Sequence, residues 1–216
     1  MTHRVLLRWG VGAILAAMAI GVLVTGDGPD APAIDVWWNA VMGDIRNPFL
    51  IGFGSVMDRV GGGWIATLLI PLAILAGLLL ARRWRAAVLV AITLLASVGA
   101  VQLLKSLFGR TRPQDMLVTS DFGSFPSGHT ANAATIAALA VLLFPRLWVL
   151  IVAAAWMLAM AFSRTLVSAH WLSDTVGGML VGIGVTLVLG GFLLEWIRSG
   201  RKEGRSDAGE AAEIAT

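Results

Sequence analysis

The sequence predicts an all-α integral membrane protein of six transmembrane helices, with short interfacial helices between the first and the second. Three observations carry this reading. Of 216 residues, 57% are hydrophobic and 13% charged, and the mean hydropathy is +0.82; a soluble domain of that balance lacks the polar residues to cover its surface. Apolar stretches of about 20 residues, the length that crosses roughly 30 Å of hydrocarbon, recur along the chain. Most basic residues lie in short segments beside those stretches, so the net charge of +3 reports orientation in a membrane rather than nucleic-acid binding. Cysteine is absent, which excludes disulfides and thiolate metal sites.

The first span is Val5–Val24, bordered by Arg4 and Arg8. A basic start before an apolar run also describes a signal peptide, but the run is long and the small-residue cleavage pattern after Val24 is poor, so the segment is read as an uncleaved helix. Thr25–Ala33, with two prolines and two aspartates, is a polar turn. Ile34, Trp37, Trp38, Val41, Met42 and Ile45 then recur at helical spacing, with Asp35, Asn39 and Asp44 on the other side. That pattern fits an interfacial helix anchored by tryptophan. Asn47-Pro48 reads as the cap and first-turn proline of a second short helix ending near Met57. Two uses for these helices stay open: packing on the edge of the bundle, or admitting a lipid.

Gly62–Ala81 is the second span, ended by Arg82-Arg83-Trp84-Arg85, and Ala86–Leu104 is the third, without charge until Lys105. Ala131–Phe144 is a shorter fourth, started by the Ser127-Gly128-His129 turn. After the Pro145-Arg146 reversal come the fifth, Leu147–Phe162, and the sixth, Trp171–Leu194. Residues 1–197 thus form the membrane domain, and the charged segment Arg198–Thr216 is expected to be a disordered cytoplasmic tail. Six spans put both termini on one side, with Arg4, Arg8, Arg82, Arg83, Arg85, Arg146 and the basic residues of the tail. The other side holds Arg46, Arg59, Lys105, Arg110, Arg112 and Arg164, so the first side is expected to be cytoplasmic and the second extracytoplasmic.

Lys105, Arg112 and Arg164 all fall at the extracytoplasmic ends of spans or in the loops joining them. Brought together, they repel one another unless an anion joins them; a phosphate suits, because guanidinium forks match its oxygens and lysine adds a point charge. Ser127 and Gly128 begin the fourth helix, where backbone N–H groups are free to meet an anion. His170 and Asp174, four apart, share a helix face, so the carboxylate fixes the tautomer and leaves one ring nitrogen as nucleophile or base. His129, from another helix, is placed as an acid for a leaving oxygen. Each piece has a plainer reading: Lys105 and Arg112 as snorkelling residues, Pro126-Ser127-Gly128 as an ordinary loop-to-helix junction, His170/Asp174 as a surface hydrogen bond, and Arg110 as solvated. Metal ligation by His129, His170 and Asp174 is the rival functional reading, opposed by the repulsion of neighbouring cations.

Lys-x6-Arg-Pro at Lys105, Arg112 and Pro113, Pro-Ser-Gly-His at Pro126–His129, and Ser-Arg-x5-His-x3-Asp at Ser163, Arg164, His170 and Asp174 resemble the three signature motifs of the type-2 phosphatidic acid phosphatase and vanadium haloperoxidase superfamily. The motifs are complete and in order over residues 105–174, and the six-span layout is similar to that of its membrane lipid phosphatases. The resemblance implies that His170 attacks phosphorus to form a phosphohistidine, with Asp174 orienting it and His129 protonating the departing group. It implies that Lys105, Arg112, Ser127, Gly128 and Arg164 hold the phosphate oxygens, with no metal and no cofactor. The expected partners are a lipid phosphate or diphosphate substrate and membrane lipids, with no nucleic acid; a prenyl diphosphate such as undecaprenyl diphosphate is favoured over phosphatidylglycerophosphate or phosphatidic acid. Two alternatives stand beside this: a non-catalytic lipid-phosphate binder or flippase, for which the histidines and Asp174 are superfluous, and a vanadate-dependent peroxidase, whose relatives are soluble. The loop Gln114–Phe125 is too short for a large cap domain.

Overall fold

A computed structural model describes residues 2–26, 31–120 and 122–214. Among these the chain is helical without strands: α1 (His3–Thr25), α2 (Ala33–Ile45), α3 (Pro48–Gly61), a π-helical turn Ile65–Leu69 running into α4 (Ile70–Leu80), α5 (Trp84–Phe108), α6 (Gly128–Leu143), α7 (Leu147–Leu166) and α8 (Leu172–Ile214). Residues 27–30 of the polar turn expected over 25–33 lie outside the described residues. Four helices are long and apolar enough to cross a membrane: α1, α5, α7 and the Leu172–Leu193 part of α8. A fifth candidate is α3 taken with Ile65–Leu80, bent by 45°. Helix α6 is apolar but shorter. The chain is therefore an integral membrane protein with four to five spans by length and composition.

The second span expected from sequence as one rod is instead the lower limb of a bent element. Gly63 adopts φ +54°, a left-handed conformation open to glycine without a Cβ penalty. Pro71 then removes a backbone donor from the first turn of α4, and the widened π turn lies immediately ahead of it. Helix α8 continues to Ile214, into the segment whose composition suggested disorder; Ala, Glu, Lys and Arg there are strong helix formers and no proline interrupts them. Asn47 caps α3 as its sequence suggests, its side chain accepting from the Leu50 N–H at 3.0 Å.

Helix α2 is turned the other way from a helix floating on a soluble surface. Ile34, Val36, Trp37 and Ile45 are exposed, while Asp35 is fully buried against the ends of the other helices. Polar inward and apolar outward is the arrangement that suits hydrocarbon outside and a polar site within.

Helix α8 is the axis of the bundle, packed along α1, α6 and α5. Small residues permit the approach. A Cβ on Gly178 would stand 2.5 Å from the Ser127 carbonyl oxygen; one on Gly182 would collide with the Ala131 carbonyl and lie 2.9 Å from the Thr135 nitrogen. Close backbone contact of this kind replaces the hydrophobic driving force that helices lack in lipid. Ser97 and Thr135 add a buried hydroxyl pair at 2.8 Å between α5 and α6. Gly182→Ala is expected to lower stability by about 1–3 kcal/mol by prising α8 from α6, whereas Gly77→Ala, whose added methyl would meet nothing within 4 Å, should change it by less than about 0.5 kcal/mol. Thermal unfolding in detergent measures both.

Candidate active site

The site is built where α5 ends and where α6 and α8 begin. Lys105 lies in the last turn of α5, 4% exposed, where the helix dipole favours a cation. Gly109 closes α5 in a left-handed conformation, φ +54°, its N–H donating to the Lys105 carbonyl at 2.9 Å. The chain thereby doubles back and carries Arg110 and Arg112 inward. The Ser124 N–H donates to the Arg110 carbonyl at 2.8 Å and the Leu117 N–H to the Val167 carbonyl at 3.0 Å, which ties this loop to the one between α7 and α8. Ser127 then caps α6, its hydroxyl accepting from Thr130 N–H.

His170 sits in the α7–α8 turn, 3% exposed. Its Nδ1 is 3.5 Å from Asp174 Oδ2, and Arg112 Nη1 lies 3.1 Å from its Nε2. Arginine only donates, so Nε2 is the acceptor and the ring proton belongs on Nδ1, facing Asp174. Burial pushes the imidazole down to about 4 against the pull of Asp174, with Arg112 and Lys105 helping. His170 is thus neutral at physiological pH, with a lone pair on Nε2. Arg112 is itself fixed by bonds to the carbonyls of Ala169, 2.6 Å, and Gly123, 2.9 Å.

Asp174 is fully buried and multiply bonded. Its Oδ1 accepts from Arg110 Nη1 at 2.6 Å; its Oδ2 accepts from the Ser124 hydroxyl and from the Trp171 N–H at 2.9 Å. Arg110, expected from sequence to be solvated, is 7% exposed, because the Gly109 turn directs it into the bundle. Its other nitrogen, Nη2, donates to Asp35 Oδ2 at 2.7 Å.

His129 stands on the first turn of α6. Its Nε2 is 3.4 Å from Asp58 Oδ1 and 3.2 Å from the Asp58 carbonyl, on α3. Asp58 also accepts from Arg164 Nη1 at 2.5 Å, and Arg164 Nη2 donates to the Gly54 carbonyl at 3.2 Å. A cavity of about 610 Å³ has Lys105, Gly128, His129 and His170 at its polar end and Ala66, Leu94, Leu95 and Val98 along its apolar walls.

The sequence-predicted residues therefore divide. Lys105, Gly128, His129 and His170 share the cavity, and Arg112 and Asp174 touch His170. Arg164 is fully buried and bonded to α3. Ser127 departs from expectation: its N–H is not free for an anion but donates to the Asp174 carbonyl at 2.9 Å, leaving Gly128 as the first-turn donor of the two. Asp35, Asp58, Arg110, Ser124 and Ser173 were not singled out by sequence. For Asp35, Asp58 and Arg110 the signal was a charge on a largely apolar helix or beside a motif; the two serines carried none. Among the described residues no group of three His, Asp or Glu side chains is arranged to hold a metal ion.

A second polar clasp holds the turn that carries His170. The hydroxyl of Ser168, a residue left-handed at φ +49°, has one proton to share between Asn39 Oδ1 at 2.7 Å and Asp115 Oδ2 at 2.9 Å, and Arg46 reaches Asp115 at 2.9 Å and the Leu166 carbonyl at 2.8 Å. Burial disfavours the Asp115 charge, but these donors outweigh it and hold the carboxyl below its ordinary range.

Comparison with known proteins agrees with the motif pattern. Over 97 residues the chain is 36% identical to a lipid A 1-phosphatase of Rhizobium johnstonii, covering 40% of this chain and 39% of that protein. Over 94 residues it is 36% identical to a lipid A 1-phosphatase of Rhizobium etli, covering 37% and 38%. The matches thus span well under half the length of these curated relatives. Among solved structures, the fold is similar to that of the transmembrane PAP2 type phosphatidylglycerolphosphate phosphatase from Bacillus subtilis, with TM-score 0.72, 24% identity, and 85% of this chain and 94% of that one covered. It is also similar to LpxE of Aquifex aeolicus, with TM-score 0.62, 23% identity, and 73% and 95% covered. The PAP2 superfamily model matches residues 84–197, more than half of the chain and every motif residue named above, and the chain belongs to that superfamily.

Proposed function

We propose that the protein is a membrane phosphatase that removes a terminal phosphate from a lipid through a phosphohistidine. The observation that carries this reading is the pair of histidines on one cavity: His170 neutral with its Nε2 lone pair beside Arg112, and His129 beside a carboxylate. Nε2 attacks phosphorus and the P–O bond to the lipid breaks. His129 gives its proton to the departing oxygen, and the Nδ1–H of the now cationic ring stays on Asp174. A water, deprotonated by His129, then attacks the phosphohistidine, and phosphate leaves with His170 restored. Lys105, Arg112 and the Gly128 N–H stabilise charge on the transferring group. Arg164 joins them by exchanging Asp58 for a phosphate oxygen, which leaves Asp58 to the protonated His129. Ser127 contributes as the cap that fixes the first turn of α6.

The substrate class is a lipid with its phosphate at the polar end of the cavity and its tail against the apolar walls. The relatives' names, lipid A 1-phosphatase and phosphatidylglycerolphosphate phosphatase, speak for a phosphate on an acylated headgroup, and prenyl diphosphates share the same terminal group. In the membrane, α6 and the bent α3–α4 element complete a six-span bundle with α2 at the interface, the active site extracytoplasmic, and both termini with the 198–216 tail cytoplasmic.

His170→Ala should reduce phosphate release from short-chain lipid phosphates, measured in detergent with a chelator present, by at least about a thousandfold while phosphate still binds; a wild-type rate would remove the nucleophile, and a wild-type protein that binds lipid phosphate without hydrolysis would favour the binder. Because attack requires neutral His170, kcat/KM should hold steady from neutral pH down to about pH 5 and fall as pH drops through about 4. The chain has no cysteine, so a Gln114→Cys variant reports sidedness: a membrane-impermeant thiol reagent should label it from outside intact cells.

A further inference from the structure

Behind Asp174 lies a second carboxylate that the phosphatase reading does not use. Asp35, on α2, is 0% exposed. Its Oδ2 accepts from Arg110 Nη2 at 2.7 Å and from the Ser173 hydroxyl at 2.6 Å, and its Oδ1 accepts from the Ser173 N–H at 2.9 Å. Arg110 spans the two acids, giving Nη1 to Asp174 at 2.6 Å and Nη2 to Asp35. The side chains of all three are at most 4% exposed, so water screens the cluster little.

The charge balance decides what Asp35 does. Arg110 alone with Asp174 makes a neutral pair, a weak partner for a ring that becomes cationic when phosphorylated. With Asp35 the cluster Asp35–Arg110–Asp174 carries one net negative charge, delivered at Asp174. We propose that Asp35 is a positioning residue for the nucleophile: by sharing Arg110 it keeps Asp174 electron-rich and aimed at Nδ1, and so stabilises the phosphorylated imidazole. The inference rests on the phosphohistidine reading. Charged groups facing His170 are Asp174 on α8, Lys105 on α5, and Arg110 and Arg112 in the loop after α5. Toward the cavity lie His129 on α6 and Arg164 on α7 with Asp58 on α3; α2 acts through Asp35. Helix α2 has a separate hold on the same turn, through Asn39 and Arg46 to Asp115 and Ser168, so the loss of the Asp35 charge leaves it docked.

A charge role and a mere structural role predict opposite signs. Removing a negative charge leaves phosphate, an anion, bound as well or more tightly, and lowers the basicity of His170. A loosened site binds phosphate less well and lets water reach His170, which raises its basicity toward that of a free imidazole. For Asp35→Asn the expected result is a fall in kcat of about tenfold or more, with phosphate affinity by calorimetry unchanged or tighter and the acid limb of kcat/KM moved to lower pH. Asp35→Glu, which keeps the charge, should retain more of the rate than Asp35→Asn. A wild-type kcat for Asp35→Asn, or a loss accompanied by weaker phosphate binding and an acid limb moved upward, would overturn the inference. Failure of the phosphohistidine reading looks different: His170→Ala would then keep its turnover.

Discussion

The arrangement depends on keeping one carboxylate ionised where there is almost no water. Asp174 is wholly buried, and an anion moved out of water costs several kcal/mol unless its lone pairs are met. The chain meets them from three directions: Arg110 and Ser124 from the loop after α5, Trp171 N–H from its own helix start, and His170 from the turn before it. The Asp174 carbonyl in turn accepts the Ser127 N–H, so the residue bonded to His170 also fixes the start of α6, and with it His129. Placing His129 and placing His170 are a single problem in this fold.

Close helix packing makes that solution possible. The donors reach Asp174 only if α6 and α8 begin side by side, and glycines at 178 and 182 let their backbones approach to distances that a methyl group would block. Lipid supplies no hydrophobic force to hold such helices together, so stability falls to packing and to the few polar ties, among them Ser97 with Thr135 and Ser168 with Asn39 and Asp115. The outward apolar face of α2 follows from the same constraint. Trp37 and Ile45 face outward, and the polar site accepts Asp35.

Four of the six expected spans, the first, third, fifth and sixth, and the motif residues were legible in the sequence because each is a local pattern: long apolar runs, and His, Arg and Lys at fixed spacings beside them. The second span shows where run length fails. Gly61-Gly62-Gly63 and Pro71 permit a bend, but hydropathy does not record direction. Asp35 and Arg110 were out of reach for another reason. They are 75 positions apart, and the amphipathic pattern of α2 is the same whether its polar side meets water or a buried arginine. Asp58 was hidden in the same way, beside Arg59 near the end of a short helix. The Ser127 N–H, expected to be free, shows that a helix N-terminus offers its donors to whichever acceptor arrives first, and here the main chain of α8 arrives.

The proposed division of work between the two histidines rests on surroundings of opposite character. His170 is buried, with Arg112 at its Nε2 and the Lys105 charge nearby, conditions that penalise a second proton and leave Nε2 unprotonated. His129 is a quarter exposed and faces the Asp58 carboxylate at 3.4 Å. The asymmetry comes from backbone placement rather than from the imidazoles, which are chemically alike: one sits in a turn enclosed by two loops, the other on a first helical turn open to a cavity. Asp58 connects this to the cations, since it is shared between His129 and Arg164. An anion that drew Arg164 away would leave the Asp58 charge to His129 alone, so in the proposed mechanism the arrival of a phosphate and the acid role of His129 are coupled through one carboxylate.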